Sequence, residues 1–106
     1  MQAINDFNNA IKSIEGLPKD FPKSIREADC YNNRGFAHFK LKNYQNSIND
    51  FNKAIEIHKE PSYYYNRGLC YLKLRNHQQA IKDIRIAAGM GDNQAREYLK
   101  SIQENK

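Results

Sequence analysis

Few residues in this sequence could do covalent or metal chemistry, and their spacing does not suit it. The 106 residues include three histidines and two cysteines, Cys30 and Cys70, which form no CxxC motif and no His/Cys cluster of the kind that binds zinc. The chain has no GxSxG, no HExxH and no glycine-rich phosphate loop. We therefore expect no catalytic residue, no metal site and no cofactor, and we interpret the cysteines as small buried thiols.

Four other residues offer recognition chemistry. Asn33 and Asn66 each carry a donor and an acceptor on one planar amide group, and Lys40 and Lys73 carry positive charge. Two amides and two cations favour a peptide with carboxylates or a free C-terminus as the ligand. The elements that position these residues follow from the rest of the sequence.

The composition excludes some fold classes and indicates a cellular compartment. Hydrophobic residues make up 40% of the chain, and Val, Thr and Trp are absent, which nearly excludes an all-β sandwich. No apolar run of about 18 residues and no signal-peptide pattern occurs, so we expect a cytoplasmic protein without a membrane span. The net charge of +5 permits an acidic partner.

An internal repeat organises the chain. Residues 31–55 align with residues 64–88 at an offset of 33, with 11 identities in 25 positions. Residues 3–11 match residues 47–55 at seven of nine positions, and the extra residues before the first full repeat indicate a lengthened loop. A fixed period of this length is typical of repeat architectures.

Each repeat has the apolar spacing of two consecutive helices. Ser24 and Glu27 have the spacing of a capping box, Asn43 and Asn76 are N-cap candidates, and Pro61 suits the first turn of a helix. The sequence predicts six helices, over residues 2–14, 25–41, 44–58, 61–74, 77–89 and 93–104.

The repeated positions resemble the tetratricopeptide repeat (TPR). The residues that carry this resemblance are Tyr31, Gly35, His38, Ser47, Phe51 and Ala54 in one repeat and Tyr64, Gly68, Tyr71, Ala80, Ile84 and Ala87 in the next. The period is 33 rather than about 34 residues, and Arg34 and Arg67 stand where the family has Leu. His38 and His77 occupy positions where the other repeat has Tyr, so we interpret them as packing residues.

The resemblance implies an all-α fold, a right-handed superhelical stack of antiparallel helical hairpins (an α-solenoid) with a C-terminal capping helix. We expect a single TPR-like domain over residues 1–106. Its segments are a half repeat (1–14), a loop (15–24), two repeats (25–60 and 61–91) and the capping helix (92–106).

The resemblance also implies a function, which is non-catalytic binding of a protein or peptide partner in a concave groove lined by the first helix of each repeat. Arg96 and Lys100 align with the last two basic residues of a carboxylate-binding clamp known in the family. The first two clamp positions do not match, because Asn32 and Phe36 stand where Lys and Asn are expected, so a solvated capping helix is the better explanation for Arg96 and Lys100. The residues expected to line the groove are Asn32, Asn33, Phe36, Lys40, Tyr65, Asn66, Leu69, Lys73, Arg96 and Lys100.

Other interpretations stay open. Nucleic-acid binding would use the cations of the outer helices, although these residues form no stripe. A purely architectural spacer is a third possibility. At the N-terminal edge, Ile4, Phe7 and Ile11 would have packing neighbours on one side only, so the chain is a fragment of a longer array or forms a homodimer through that edge. The cations in question are Lys53, Lys59, Lys82, Arg85 and Lys100.

Overall fold

The computed structural model of the protein describes residues 23–104. The helix predicted over residues 2–14, with the N-terminal edge formed by Ile4, Phe7 and Ile11, lies outside the described residues. The described chain contains five α-helices and no strand, and none of these helices is long and apolar enough to cross a membrane. They are α1 (Lys23–Lys40), α2 (Tyr44–Ile57), α3 (Pro61–Lys73), α4 (His77–Gly89) and α5 (Asn93–Glu104).

The chain divides into two compact units, Met1–Lys59 and Glu60–Lys106. In the first unit, α1 packs against α2. In the second unit, α3 packs against α4, and α5 also packs against α4. The expected all-α class is confirmed, and the predicted boundaries of these five helices agree with the observed ones within two residues. We call α1 and α3 the first helices and α2 and α4 the second helices.

Helix ends follow the predicted caps in part. Asn76 accepts a hydrogen bond from the backbone N–H of Gln79 at 3.4 Å, and Pro61 lies in the first turn of α3, as predicted. The capping box at Ser24 is wrong, because α1 already begins at Lys23. The Glu27 carboxylate, which was expected to close that box, pairs with Lys23 at 3.9 Å, one helical turn away.

The turn inside each hairpin places a basic residue in the left-handed region. Lys42 has φ 66° and Arg75 has φ 62°, at positions 33 residues apart. The next residue folds back onto its first helix in both turns, because Asn43 donates its N–H to the His38 carbonyl and Asn76 donates to the Tyr71 carbonyl. These bonds satisfy carbonyl groups that a helix end leaves open. No glycine marks the turns, so the sequence did not indicate this conformation.

Glycine permits the closest approach of the two helices in each hairpin. A Cβ added at Gly35 would lie 2.8 Å from the ring of Phe51, and one added at Gly68 would lie 2.9 Å from Ile84. Both partners are fully buried, so neither has free space into which to move. The repeated glycine is therefore required by packing.

We expect Gly35→Ala to lower the stability of the protein. Overpacking of a core costs about 1–3 kcal/mol, whereas exchanging Gly for Ala in a helix gains only about 1 kcal/mol. Gly89→Ala is the matched control, since a Cβ at Gly89 would meet no atom within 4 Å beyond its chain neighbours and the backbone of its own helix. Thermal unfolding followed by circular dichroism should give Gly35→Ala the lower Tm of the two variants. Equal Tm values would show that the close approach places no constraint on Gly35.

Candidate functional site

An ion pair between a half-buried Arg and a buried Asp joins the two helices of each hairpin. The guanidinium of Arg34 donates to Asp50 from Nε at 2.9 Å and from Nη2 at 2.7 Å. Arg67 makes the same two bonds to Asp83, both at 2.8 Å. This planar two-bond geometry is the strong form of an Arg–carboxylate contact. Sequence reasoning missed the pairs, although each Arg recurs with an Asp 16 residues later in both repeats.

The ion pairs favour the charged form of both arginines. The hydrogen bond that Arg34 donates to Asp50 raises the pKa of Arg34, and the one that Arg67 donates to Asp83 raises the pKa of Arg67. In the second hairpin the guanidinium of Arg67 also lies 5.6 Å from the ring centroid of Tyr64, within the range of a cation–π contact. The repeated Arg stands where the family pattern has Leu. It contacts an Asp of the second helix and a Tyr ring of its own helix.

We expect the two halves of the pair to respond unequally to mutation. Arg67→Leu leaves the Asp83 carboxylate without its ion-pair partner, and the Asp83 side chain is only 2% exposed. Losing one partner of a buried pair costs up to about 3–5 kcal/mol of unfolding free energy. Asp83→Ala leaves Arg67, whose side chain is 20% exposed and can turn toward water. Urea denaturation should show a larger loss of unfolding free energy for Arg67→Leu than for Asp83→Ala.

The double variant Arg67→Leu, Asp83→Ala completes this test. It removes both charges, so its unfolding free energy should fall by less than the sum of the two single losses. Additive losses would contradict a direct interaction between the two side chains.

His38 lies beside the ion pair of the first hairpin. Its Nε2 is 3.8 Å from Asp50 Oδ2, and its buried Nδ1 finds no hydrogen-bond partner among the described residues. Burial lowers the pKa of His38 from its ordinary value of 6.5; the Asp50 charge opposes this shift and the Arg34 charge adds to it. The structure therefore favours the neutral imidazole, in keeping with the predicted packing role.

This lowered pKa makes the stability of the protein depend on pH. Between the unfolded pKa of about 6.5 and the lower folded pKa, the unfolded chain binds more protons at His38 than the folded chain does. The unfolding free energy should therefore decrease as the pH falls through this window. His38→Tyr, which places the residue of Tyr71 in the first hairpin, should show a shallower decrease in urea titrations from pH 7.5 to about 5. Identical pH profiles would exclude a contribution from His38.

The predicted binding residues of α1 lie partly on its exposed side. Asn33, Phe36 and Lys40 are exposed, whereas Asn32 is half-buried. Phe36 is 40% exposed, its ring stacks on Phe39 with centroids 6.2 Å apart, and the ammonium of Lys40 lies 4.9 Å from its centroid. The structure thus brings an aromatic surface and a cation together on one helix face.

The equivalent residues of α3 are more covered. Asn66 and Leu69 are half-buried and Lys73 is exposed. Tyr65 is half-buried, and burial raises the pKa of its hydroxyl, to which the nearby Asp92 and Tyr98 also contribute. In each first helix, Asn, an apolar residue and Lys follow at i, i+3 and i+7, which places them along one side of the helix. We call these two sets, Asn33, Phe36, Lys40 and Asn66, Leu69, Lys73, the Asn–Lys stripes.

The remaining predicted residues lie on α5. Arg96 and Lys100 are both exposed, and Arg96 Nε donates to the Ala88 carbonyl at 3.1 Å. The Ala88 carbonyl, in the last turn of α4, also accepts from the Gly91 N–H at 3.0 Å, so the Arg96 bond is a second one that joins α5 to the end of α4. Arg96 thus has a structural partner that the sequence did not indicate.

The described chain offers little to a metal ion. Both cysteines are buried and unbridged, and burial raises the pKa of the Cys30 thiol, helped by Asp29 and Glu27. No group of three or more His, Cys, Asp or Glu side chains within residues 23–104 could hold a metal.

Comparison with known proteins agrees with this geometry. Family models of the tetratricopeptide repeat match residues 28–60 and residues 61–90, which correspond to the two hairpins. A comparison with curated proteins finds no match. Repeats of this family generally act in protein–protein interaction and are typically non-catalytic. Since the two matches together span more than half of the chain, the protein belongs to the tetratricopeptide repeat family.

Proposed function

We propose that this protein is a non-catalytic interaction module that binds a segment of a partner protein through its two Asn–Lys stripes. The observation that carries the proposal is the recurrence of the stripe on both first helices, one in each unit, with Lys40 and Lys73 exposed in both. The exposed members of the stripes, Asn33, Phe36, Lys40 and Lys73, are not part of the close helix contacts at Gly35, Gly68 and the two Arg–Asp pairs.

The chemistry of the stripes suggests the ligand class. Phe36 presents an exposed apolar surface, and the Lys40 ammonium lies over its ring. An amide such as that of Asn33 can bond both to a backbone N–H and to a carbonyl group. This combination favours an extended peptide with an apolar side chain next to a carboxylate, either an acidic residue or a free C-terminus. The concave groove expected from the sequence is part of this proposal.

The proposal is tested by removing the cations of both stripes. We expect Lys40→Ala, Lys73→Ala to weaken binding of the partner at least tenfold, because each charge-assisted bond contributes roughly 1.5–3 kcal/mol and about 1.4 kcal/mol corresponds to one decade in Kd. The partner is first identified by affinity capture and mass spectrometry, and the Kd of the purified pair is then measured by isothermal titration calorimetry. The Tm should stay unchanged.

Lys82→Ala, Arg85→Ala is the matched control. This variant also removes two positive charges, but from α4, where both residues are exposed. Partner binding should be unaffected by this change. If the α4 variant loses binding and the stripe variant retains it, the stripes are not the site, and the basic outer surface expected of a nucleic-acid-binding protein becomes the better explanation.

A further inference from the structure

An apolar surface lies open on the second unit. Ile81 on α4 and Leu99 and Ile102 on α5 are half-buried and, with Arg85, line a depression of about 260 Å³. It adjoins a second depression of about 600 Å³ along α4, which Ile81 and Arg85 also line. We call this region, Ile81, Arg85, Leu99 and Ile102, the α4–α5 surface.

Comparison of the repeats shows that this surface is less covered than its counterpart. Ile81 occupies the position of Ile48, 33 residues earlier, and Ile48 is only 3% exposed whereas Ile81 is half-buried. The same side chain at the same repeat position is thus more open in the second unit. A helix of a repeat protein that leaves its apolar side open needs a neighbour.

The first half of α5 resembles a first helix in sequence and in burial. Ala95 and Tyr98 align with Ala28 and Tyr31 of α1, and Ala95 and Ala28 are both fully buried. Each of the other two first helices packs against a second helix that follows it, α1 against α2 and α3 against α4. The described residues contain no second helix after α5.

The chain carries a second-helix sequence elsewhere. Residues 3–11 are identical to residues 47–55 of α2 at seven of nine positions. Among the identities are Ile4, Phe7 and Ile11, and all three of their counterparts in α2 are buried. The order of half repeats along the chain is therefore second, first, second, first, second, first.

We propose that residues 3–11 of one copy of this protein dock on the α4–α5 surface of another copy. Joining copies in this way places a second-helix sequence after α5, so the alternation of first and second helices continues across the junction. The two contacting surfaces differ, so the association is head-to-tail rather than two-fold symmetric. Asp6 aligns with Asp50, which pairs with Arg34. Ser101 stands at the position of Arg34 in α5, so the cation that the receiving surface offers to Asp6 is Arg85 of α4.

α5 differs from the other first helices at the position of the repeated glycine, and this difference affects how residues 3–11 dock. Ile102 stands at the position of Gly35, where even a Cβ would come within 2.8 Å of Phe51. Phe7 therefore cannot approach α5 as closely as Phe51 approaches α1. The segment lies farther out, over Ile81, Leu99 and Ile102, where the depression is found. We expect a weaker contact than that within a hairpin, so association should depend on concentration.

Two complementary variants test the proposal. Phe7→Asp removes the docking side chain and keeps the receiving surface, while Leu99→Asp does the reverse. In sedimentation velocity over about a hundredfold range of concentration, the unmodified chain should form a series of growing oligomers and each variant should remain monomeric. An equimolar mixture of the two variants should form a one-to-one dimer and nothing larger, because only one of the possible junctions survives.

Controls separate this contact from loss of folding and from the proposed function. Phe36→Asp puts the same charge on an exposed aromatic position of α1 and should leave self-association intact while weakening partner binding. Circular dichroism checks that every variant is helical, and Ile102→Asp replaces Leu99→Asp if that variant does not fold. A monomeric unmodified chain, unchanged association of Phe7→Asp, or a mixture that stays monomeric would each overturn the proposal.

Discussion

Each hairpin of this protein depends on one charged contact, an Arg of the first helix bonded through two nitrogen atoms to an Asp of the second. Burying two charges is costly unless both are paired and hydrogen-bonded, and the two parallel bonds meet that requirement for Arg34 with Asp50 and for Arg67 with Asp83. The Arg is next in sequence to the glycine at which an added Cβ would collide with the second helix. A shift of one helix along the other would break both bonds, so the pair fixes the register of the hairpin as well as its spacing.

The helices could be predicted well, because their signal is local. Apolar spacing and cap residues report directly on which side of a helix is buried, and five of the six predicted helices could be compared with the structure and agree with it. The Arg–Asp pairs were missed because a recurring Arg and a recurring Asp indicate a contact only when the crossing point of the helices is known. The left-handed turns at Lys42 and Arg75 were missed because no glycine indicated them.

The candidate site was predictable in outline only. The sequence indicated which positions of α1 would point away from the core, and Asn33, Phe36 and Lys40 are indeed exposed. The stacking of Phe36 on Phe39 and the bond from Arg96 to the Ala88 carbonyl depend on rotamers and on a neighbouring helix, which spacing alone does not specify. Identical residues also differ between the repeats, because Ile48 and Ile81 share a position and differ in burial. A repeat pattern assigns the role of a position but not its surroundings.

The separation along the chain of the contacts that close a hairpin has a kinetic consequence. Arg34 with Asp50, Gly35 with Phe51, and the equivalent pairs of the second repeat all join residues 16 positions apart. Forming any of them closes a short loop, so little chain entropy is lost before the contact begins to stabilise the structure. Proteins dominated by such local contacts fold within microseconds to milliseconds. Each hairpin can therefore act as its own nucleus, and its helices can pair as soon as that stretch of the chain has been synthesised.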